Sequence, residues 1–150
     1  MALKSRVDLV KVKGDLYKAV YSVIEYARGI PLHGKKILLK PNLVEPRSPD
    51  SGDITSPKLV EALIRYCQEH AAREIIVGDG PSYYQSETRL RECFTRTGIS
   101  RIAEKWGVKW IIFDDYSYRV FRNFSRFTPQ EFRLSEFVFK CDVLINLPVM

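Results

Sequence analysis

Short, mostly apolar segments alternate with longer amphipathic segments along this chain, and this alternation constrains its fold more than any other feature. The apolar segments lie at 37–39, 74–77, 108–113 and 143–147, and a partly alternating segment at 7–12 precedes them. A continuous apolar run such as 37–39 is typical of a strand in a parallel sheet covered on both faces. Alternation of such strands with helices predicts an α/β fold with a mostly parallel sheet and helices on both faces.

The segments between the predicted strands carry helix signals. In 16–27 the apolar residues recur with the spacing of one buried helix face, and Asp15 is suited to the N-cap. Ser56 has the same position before a second helix that begins with a proline. A third helix is predicted over 87–97, and Ser100 is expected to cap a short fourth helix.

Two further segments complete the predicted topology. Residues 41–54 contain three prolines and a glycine, which predicts a long loop, and long ordered loops commonly carry function. Residues 131–134 are predicted to form a short strand, and Ser135 is expected to cap a helical turn after it.

Composition bounds the compartment and the class of partner. The three cysteines, Cys67, Cys93 and Cys141, form no C-x-x-C pair, which argues against a metal site and favours reduced thiols in a cytoplasmic protein. No apolar segment is long enough for a membrane span, so no membrane partner is expected. The scarcity of Asn and Gln favours a thermophilic source.

Polar residues follow the predicted parallel strands at the edge where such sheets bind ligands. The members of this edge, with the start of the second helix, are Lys40, Asn42, Thr55, Ser56, Asp79, Gly80, Ser82 and Asn146. Lys40 and Asp79 are the predicted catalytic pair, one to neutralise ligand charge and the other to accept a proton or hydrogen bond. The others are predicted to bind the ligand, with Thr55 and the helix start holding an anion. The predicted ligand is therefore a small anion.

Several of these residues also have a purely structural interpretation. Lys40 could be a solvated charge at a strand end, Asp79 a turn residue between two glycines, and Ser56 only a helix cap. Asn146 is harder to explain in this way, because an amide inside an apolar strand needs partners if it is buried.

The segment 116–127 interleaves aromatic residues with Arg119, Arg122 and Arg126, a pattern that can bind single-stranded nucleic acid. The structural alternative is an edge element whose aromatics pack on the core or on a partner protein. The net charge of +6 permits nucleic acid, but the block 41–80 holds four basic and seven acidic residues, which disfavours a phosphate backbone near the site. A non-catalytic binding or assembly module that docks a protein or nucleic acid through 116–127 is thus the alternative to an enzyme.

An ordered set of motifs extends this interpretation to a family. These are K-P-N-L-V at 40–44, G-D-I-T-S-P-K-L-V-E-A-L at 52–63, A-R-E-I-I-V-G-D-G-P-S at 72–82, T-G-I at 97–99, I-A-E-K-W-G-V-K at 102–109 and D-V-L-I-N-L-P-V-M at 142–150. In these motifs the chain resembles the family called domain of unknown function 362. The family residues that map here are Lys40, Pro41, Asn42, Thr55, Pro57, Gly78, Asp79, Asn146, Leu147 and Pro148.

The resemblance implies an α/β domain in a ferredoxin-linked redox or metal-related enzyme. It implies no cofactor within 1–150, and a [4Fe-4S] cluster in a ferredoxin-like module outside them. Because the family pattern continues past the N-L-P segment, 1–150 are expected to be a single, incomplete α/β domain, the N-terminal part of a longer one. Such a domain is expected to expose apolar surface and therefore to self-associate or to bind a hydrophobic dye. A ferredoxin-like protein is the other expected partner.

Overall fold

The computed structural model describes residues 7–80, 87–123 and 130–149. The α-helices are α1 Leu16–Tyr26, α2 Pro57–Glu69, α3 Glu87–Arg96 and α4 Ile99–Lys105. The strands are β1 Lys36–Pro41, β2 Glu74–Asp79, β3 Lys109–Ile112, β4 Tyr118–Arg122, β5 Glu131–Ser135 and β6 Val143–Leu147. Short 3₁₀ helices occupy Pro49–Ser51, Phe113–Asp115 and Glu136–Lys140.

Four of the strands form a parallel sheet in the order β3-β2-β1-β6, and β4 pairs with β5 in a separate antiparallel ribbon. The central strand β1 pairs with β2 on one side and with β6 on the other. This arrangement confirms the predicted α/β class with a parallel sheet. The strand predicted over 131–134 and the capping role of Ser135 are also confirmed.

Successive side chains of each strand point to opposite faces of the sheet, so an apolar layer lies on each face. Ile37, Leu39 and Val77 belong to the main core, to which all four α-helices contribute. Leu38 and Ile76 belong to a smaller cluster on the opposite face, covered by the 3₁₀ helix Glu136–Lys140. The helices predicted on both faces are therefore four α-helices on one face of the sheet and a 3₁₀ helix on the other.

The helix starts show which capping predictions hold. The Asp15 carboxylate accepts hydrogen bonds from the backbone N–H groups of Tyr17 and Lys18, so the predicted cap of α1 is confirmed. Ser56 occupies the N-cap position of α2, but its side chain makes no capping hydrogen bond. The prediction for Ser100 is wrong, because Gly98 is the N-cap of α4. Gly98 adopts the left-handed conformation (φ 82°), which turns the chain from α3 directly into α4.

Two strand predictions need correction. Residues 7–12 form no strand, and their side chains are largely exposed, so they gain no burial that would fix an extended conformation. The segment 143–147 does form a strand, but β6 is an edge strand and only Leu147 is buried. Its continuous apolar sequence is therefore half-exposed in this structure.

Candidate functional site

The carboxyl ends of β1 and β6 meet at the point where the strand order of the parallel sheet reverses. From β1 the chain passes to β2 and then β3 on one side, whereas β6 pairs on the opposite side of β1. Ligands of open α/β sheets bind in the crevice at such a switch point. Lys40 pairs in register with Asn146 and Pro41 with Leu147, so the predicted residues of both strands lie at this crevice.

Lys40 and Asp79 form an ion pair across the ends of β1 and β2. The Lys40 Nζ lies 2.7 Å from the Asp79 Oδ1 and also donates a long hydrogen bond of 3.4 Å to the Pro41 carbonyl. The lysine side chain is one third exposed, at 33%, whereas that of Asp79 is 5% exposed. The two predicted catalytic residues therefore do lie together, with the cation at the surface and the carboxylate beneath it.

Both oxygens of the Asp79 carboxylate are occupied. Oδ1 accepts from Lys40 and from the Gly80 N–H at 2.9 Å, and Oδ2 accepts from the Leu43 N–H at 3.0 Å. Burial raises the pKa of Asp79, and these three donors oppose that rise without cancelling it. Asp79 thus fixes both the ammonium of Lys40 and the start of the loop after β1.

Thr55 joins that loop to the end of β6. Its buried hydroxyl accepts from the Asn42 N–H at 2.7 Å and donates to the Leu147 carbonyl at 2.6 Å. The Asn42 side-chain amide donates to the Asp53 carbonyl at 3.2 Å. In this structure Thr55 and Asn42 therefore order the loop that borders the site.

The remaining predicted residues are Ser56, Gly80, Ser82 and Asn146. Gly80 follows β2 and lines the cleft described below, and Ser56 stands at the start of α2. Asn146 is exposed rather than buried, so its amide needs no protein partner. Ser82 lies outside the described residues.

A cleft of about 710 Å³ opens beside this edge, between the sheet and the β4–β5 ribbon. The residues that line it are Lys40, Gly80, Phe113, Asp114, Tyr116, Ser117, Tyr118, Arg133, Leu134, Ser135, Val138 and Leu144. Two cations and one carboxylate are thus set among aromatic and aliphatic side chains. A volume of this size and a lining of this kind are usual for small-molecule sites.

Most of the cleft wall was not foreseen from the sequence. Tyr118 and Arg133 come from the β4–β5 ribbon. The position of this ribbon over the sheet edge depends on contacts between residues far apart in the sequence, which no local pattern indicates. Gly78 supports this wall, because a Cβ there would lie 2.7 Å from Phe113 Cε1 and 2.8 Å from Ile111 Cγ1. The glycine therefore lets Phe113, which lines the cleft, pack against β2.

The aromatic residues of 116–123 are mostly packed on other parts of the chain. Tyr116 lies against Phe137, with ring centroids 4.9 Å apart, and Phe121 stacks on Phe132 and Phe139. Arg119 pairs with Glu136 at 3.7 Å. This matches the structural alternative for the segment, while residues 124–127, with Arg126, lie outside the described residues.

The described residues do not suit an iron–sulfur cluster. Within 7–80, 87–123 and 130–149 no three His, Cys, Asp or Glu side chains are grouped so that they could hold a metal ion. Cys67 and Cys93 are buried on different helices, and burial raises the pKa of the Cys67 thiol to about 12, which opposes the thiolate form that iron requires.

Among the described helices, none has the length and apolar character needed to cross a membrane.

Comparison with known proteins identifies a family. Neither the curated proteins nor the solved structures include a significant match to the chain. The family model described as "Domain of unknown function (DUF362)" matches residues 37–150, which include β2, β3 and β6, all of β1 after Lys36, and all the predicted site residues. The chain therefore belongs to the DUF362 family.

Proposed function

We propose that this domain binds a small anionic ligand in the cleft beside β1 and β6, with Lys40 as the residue that contacts the anion. One observation carries the proposal: a partly exposed ammonium is fixed by a buried carboxylate where the strand order reverses, and it lines a cleft of about 710 Å³.

The donor inventory of Lys40 supports this role. An ammonium has three N–H donors, of which two are directed to Asp79 Oδ1 and the Pro41 carbonyl. No acceptor among the described residues takes the third, which can therefore contact a ligand. Because the contact with Asp79 fixes the side chain before the ligand arrives, little rotamer entropy is lost on binding.

Asp79 acts in this proposal mainly as a positioning residue. A proton-accepting role, which the sequence suggested, requires one of its three donors to move away first. The raised pKa of its carboxyl, caused by burial, makes proton uptake easier once a donor has moved.

Two further groups support the proposal. Asn146 is exposed and pairs in register with Lys40, so the two side chains project from the same face of the sheet. Arg133 supplies a second cation to the cleft from β5. Its guanidinium donates to the Tyr118 hydroxyl at 3.0 Å, which orients it.

We also propose that the binding domain serves a ferredoxin-linked redox or metal-related enzyme. This part rests on the family resemblance alone, and no step through a cluster is assigned to the described residues. Co-elution of the chain with a [4Fe-4S] ferredoxin, tested by anaerobic gel filtration, is the expected result, and separate elution would contradict it.

The alternative module that binds nucleic acid through 116–127 receives less support. Arg119, which lies in this segment, is already paired with Glu136 at 3.7 Å. Intramolecular pairing of this kind reduces the charge available to phosphates.

Calorimetric titration with inorganic phosphate tests the anion site. Replacement of Lys40 by Met removes a charge-assisted hydrogen bond, so we expect binding to weaken by about tenfold or more. Lys36→Met is the matched control, because Lys36 lies at the opposite end of the same strand and pairs with Glu74 at 2.9 Å. It should change the dissociation constant by less than about twofold.

Lys40→Arg guards against a folding defect, since it keeps a cation beside Asp79 and should retain most of the binding. Equal effects of Lys40→Met and Lys36→Met in folded variants would contradict the proposed site.

A further inference from the structure

We propose that the anion bound at Lys40 carries an aromatic ring, and that this ring lies in the part of the cleft walled by Phe113, Tyr118 and Leu144. The inference rests on the proposed function and specifies the class of its ligand. It concerns the apolar wall of the cleft, whereas the anion site depends on Lys40.

The size of the cleft is the first argument. In bulk water each molecule occupies about 30 Å³, so 710 Å³ is far more space than an inorganic anion needs. Clefts of roughly 300–1,000 Å³ commonly enclose organic ligands, with apolar walls for the body and a few polar groups for orientation.

The position of the apolar wall is the second argument. Leu144 pairs in register with Leu38, two residues before Lys40 on β1. Leu144 and Lys40 therefore project from the same face of the sheet, displaced by roughly 6.5 Å along the strand direction. Leu144 is 48% exposed, so an apolar group next to the anion would cover it.

The aromatic side chains are the third argument. Phe113 lines the cleft and packs against Gly78. Tyr118 is 53% exposed, and its ring is fixed by Arg133, whose Cζ lies 4.8 Å from the ring centroid. Rings that are held in place and exposed to a cleft can stack on a planar ligand with little loss of entropy.

The test compares phenyl phosphate with inorganic phosphate on the whole chain, by calorimetry at constant ionic strength. The two probes share the anionic group and differ by one ring. We expect phenyl phosphate to bind at least about fivefold more tightly, because the ring is both buried and stacked. Equal dissociation constants for the two probes would overturn the inference.

Variants at Tyr118 locate the ring. Tyr118→Ala should bring the dissociation constant of phenyl phosphate to within about twofold of that of inorganic phosphate, while Tyr118→Phe should keep the preference because it keeps the ring. Tyr21→Ala is the matched control, since this tyrosine on α1 is 42% exposed and does not line the cleft. An equal loss in Tyr21→Ala would refute the assignment.

Lys40→Met separates this inference from the proposed function. If the Lys40→Met variant binds both probes as tightly as the wild type and still prefers phenyl phosphate, the anion site is refuted. Dependence on Lys40 with no preference for the ring would refute the aromatic ligand and leave the anion site intact.

Discussion

Replacement of Asp79 by Asn tests whether this carboxylate organises the site. The substitution keeps the size and shape of the side chain but replaces one acceptor oxygen by an NH₂ donor. In the native structure Oδ1 faces two donors, Lys40 Nζ and the Gly80 N–H, and Oδ2 faces the Leu43 N–H. Every orientation of the amide therefore sets a donor against at least one other donor.

The least unfavourable orientation directs the oxygen of the new amide toward Lys40 and Gly80. The Leu43 N–H then loses its acceptor at a buried position, which costs about 1–3 kcal/mol. We therefore expect Asp79→Asn to lower the free energy of unfolding by about 1–3 kcal/mol at pH 7.

The pH dependence of the free energy of unfolding gives a second, independent test. Because burial raises the pKa of Asp79 in the folded state above 3.8, its titration contributes stability that is present below that value and is lost as pH rises through the folded pKa. The difference in stability between wild type and Asp79→Asn should therefore shrink as pH rises through this window. It should then stay constant up to neutral pH.

Asp142→Asn is the matched control, because Asp142 accepts from the Lys36 N–H at the opposite end of β1. That hydrogen bond lowers the pKa of Asp142, so its contribution is present above 3.8 and is lost as pH falls through the lowered pKa. The difference between wild type and Asp142→Asn should therefore grow as pH rises.

Urea denaturation followed by tryptophan fluorescence, from about pH 2 to pH 8, measures both variants across both titration windows. If the Asp79→Asn variant is as stable as the wild type at pH 7, the anchoring role of Asp79 is refuted. The same slope with pH in both variants would refute the assigned pKa directions.

Three further predictions concern packing, hydrogen bonding and self-association around the site. Gly78→Ala should lower the free energy of unfolding in urea by about 1–3 kcal/mol, because the new Cβ would lie 2.7 Å from Phe113 Cε1. Gly80→Ala is the control: its nearest Cβ contact is 3.5 Å, so it should change the free energy of unfolding by less than about 0.5 kcal/mol. Thr55→Val should cost about 1–3 kcal/mol in the same assay, because it removes the hydroxyl that links the loop to β6 and leaves buried polar groups unpaired. The exposed apolar residues of the cleft and of β6 should promote self-association, so Leu144→Lys should shift gel-filtration elution toward the monomer, and unchanged elution would contradict this.

The candidate site was predictable where it follows from strand ends. Lys40 and Asp79 each come at or near the end of a continuous apolar run, and parallel pairing places those ends at one edge. Their ion pair is therefore a consequence of local sequence and a general topological rule. The roles of Thr55 and Asn42 in ordering the loop were not predictable, because they depend on the path of the chain between β1 and α2.

Local periodicity accounts for α1, α2, α3 and the strands of the parallel sheet, since continuous apolar strands and amphipathic helices bury their surfaces in only a few ways. Local periodicity does not specify which strands become neighbours. Pairing of β6 with β1 brings together residues about 100 positions apart, and it places Asn146 beside Lys40 and leaves Leu144 half-exposed. Likewise, the ribbon of β4 and β5 completes the cleft only because it packs over the sheet edge. These features arise from contacts between distant segments, and the balance of burial among those contacts is not encoded in any one segment.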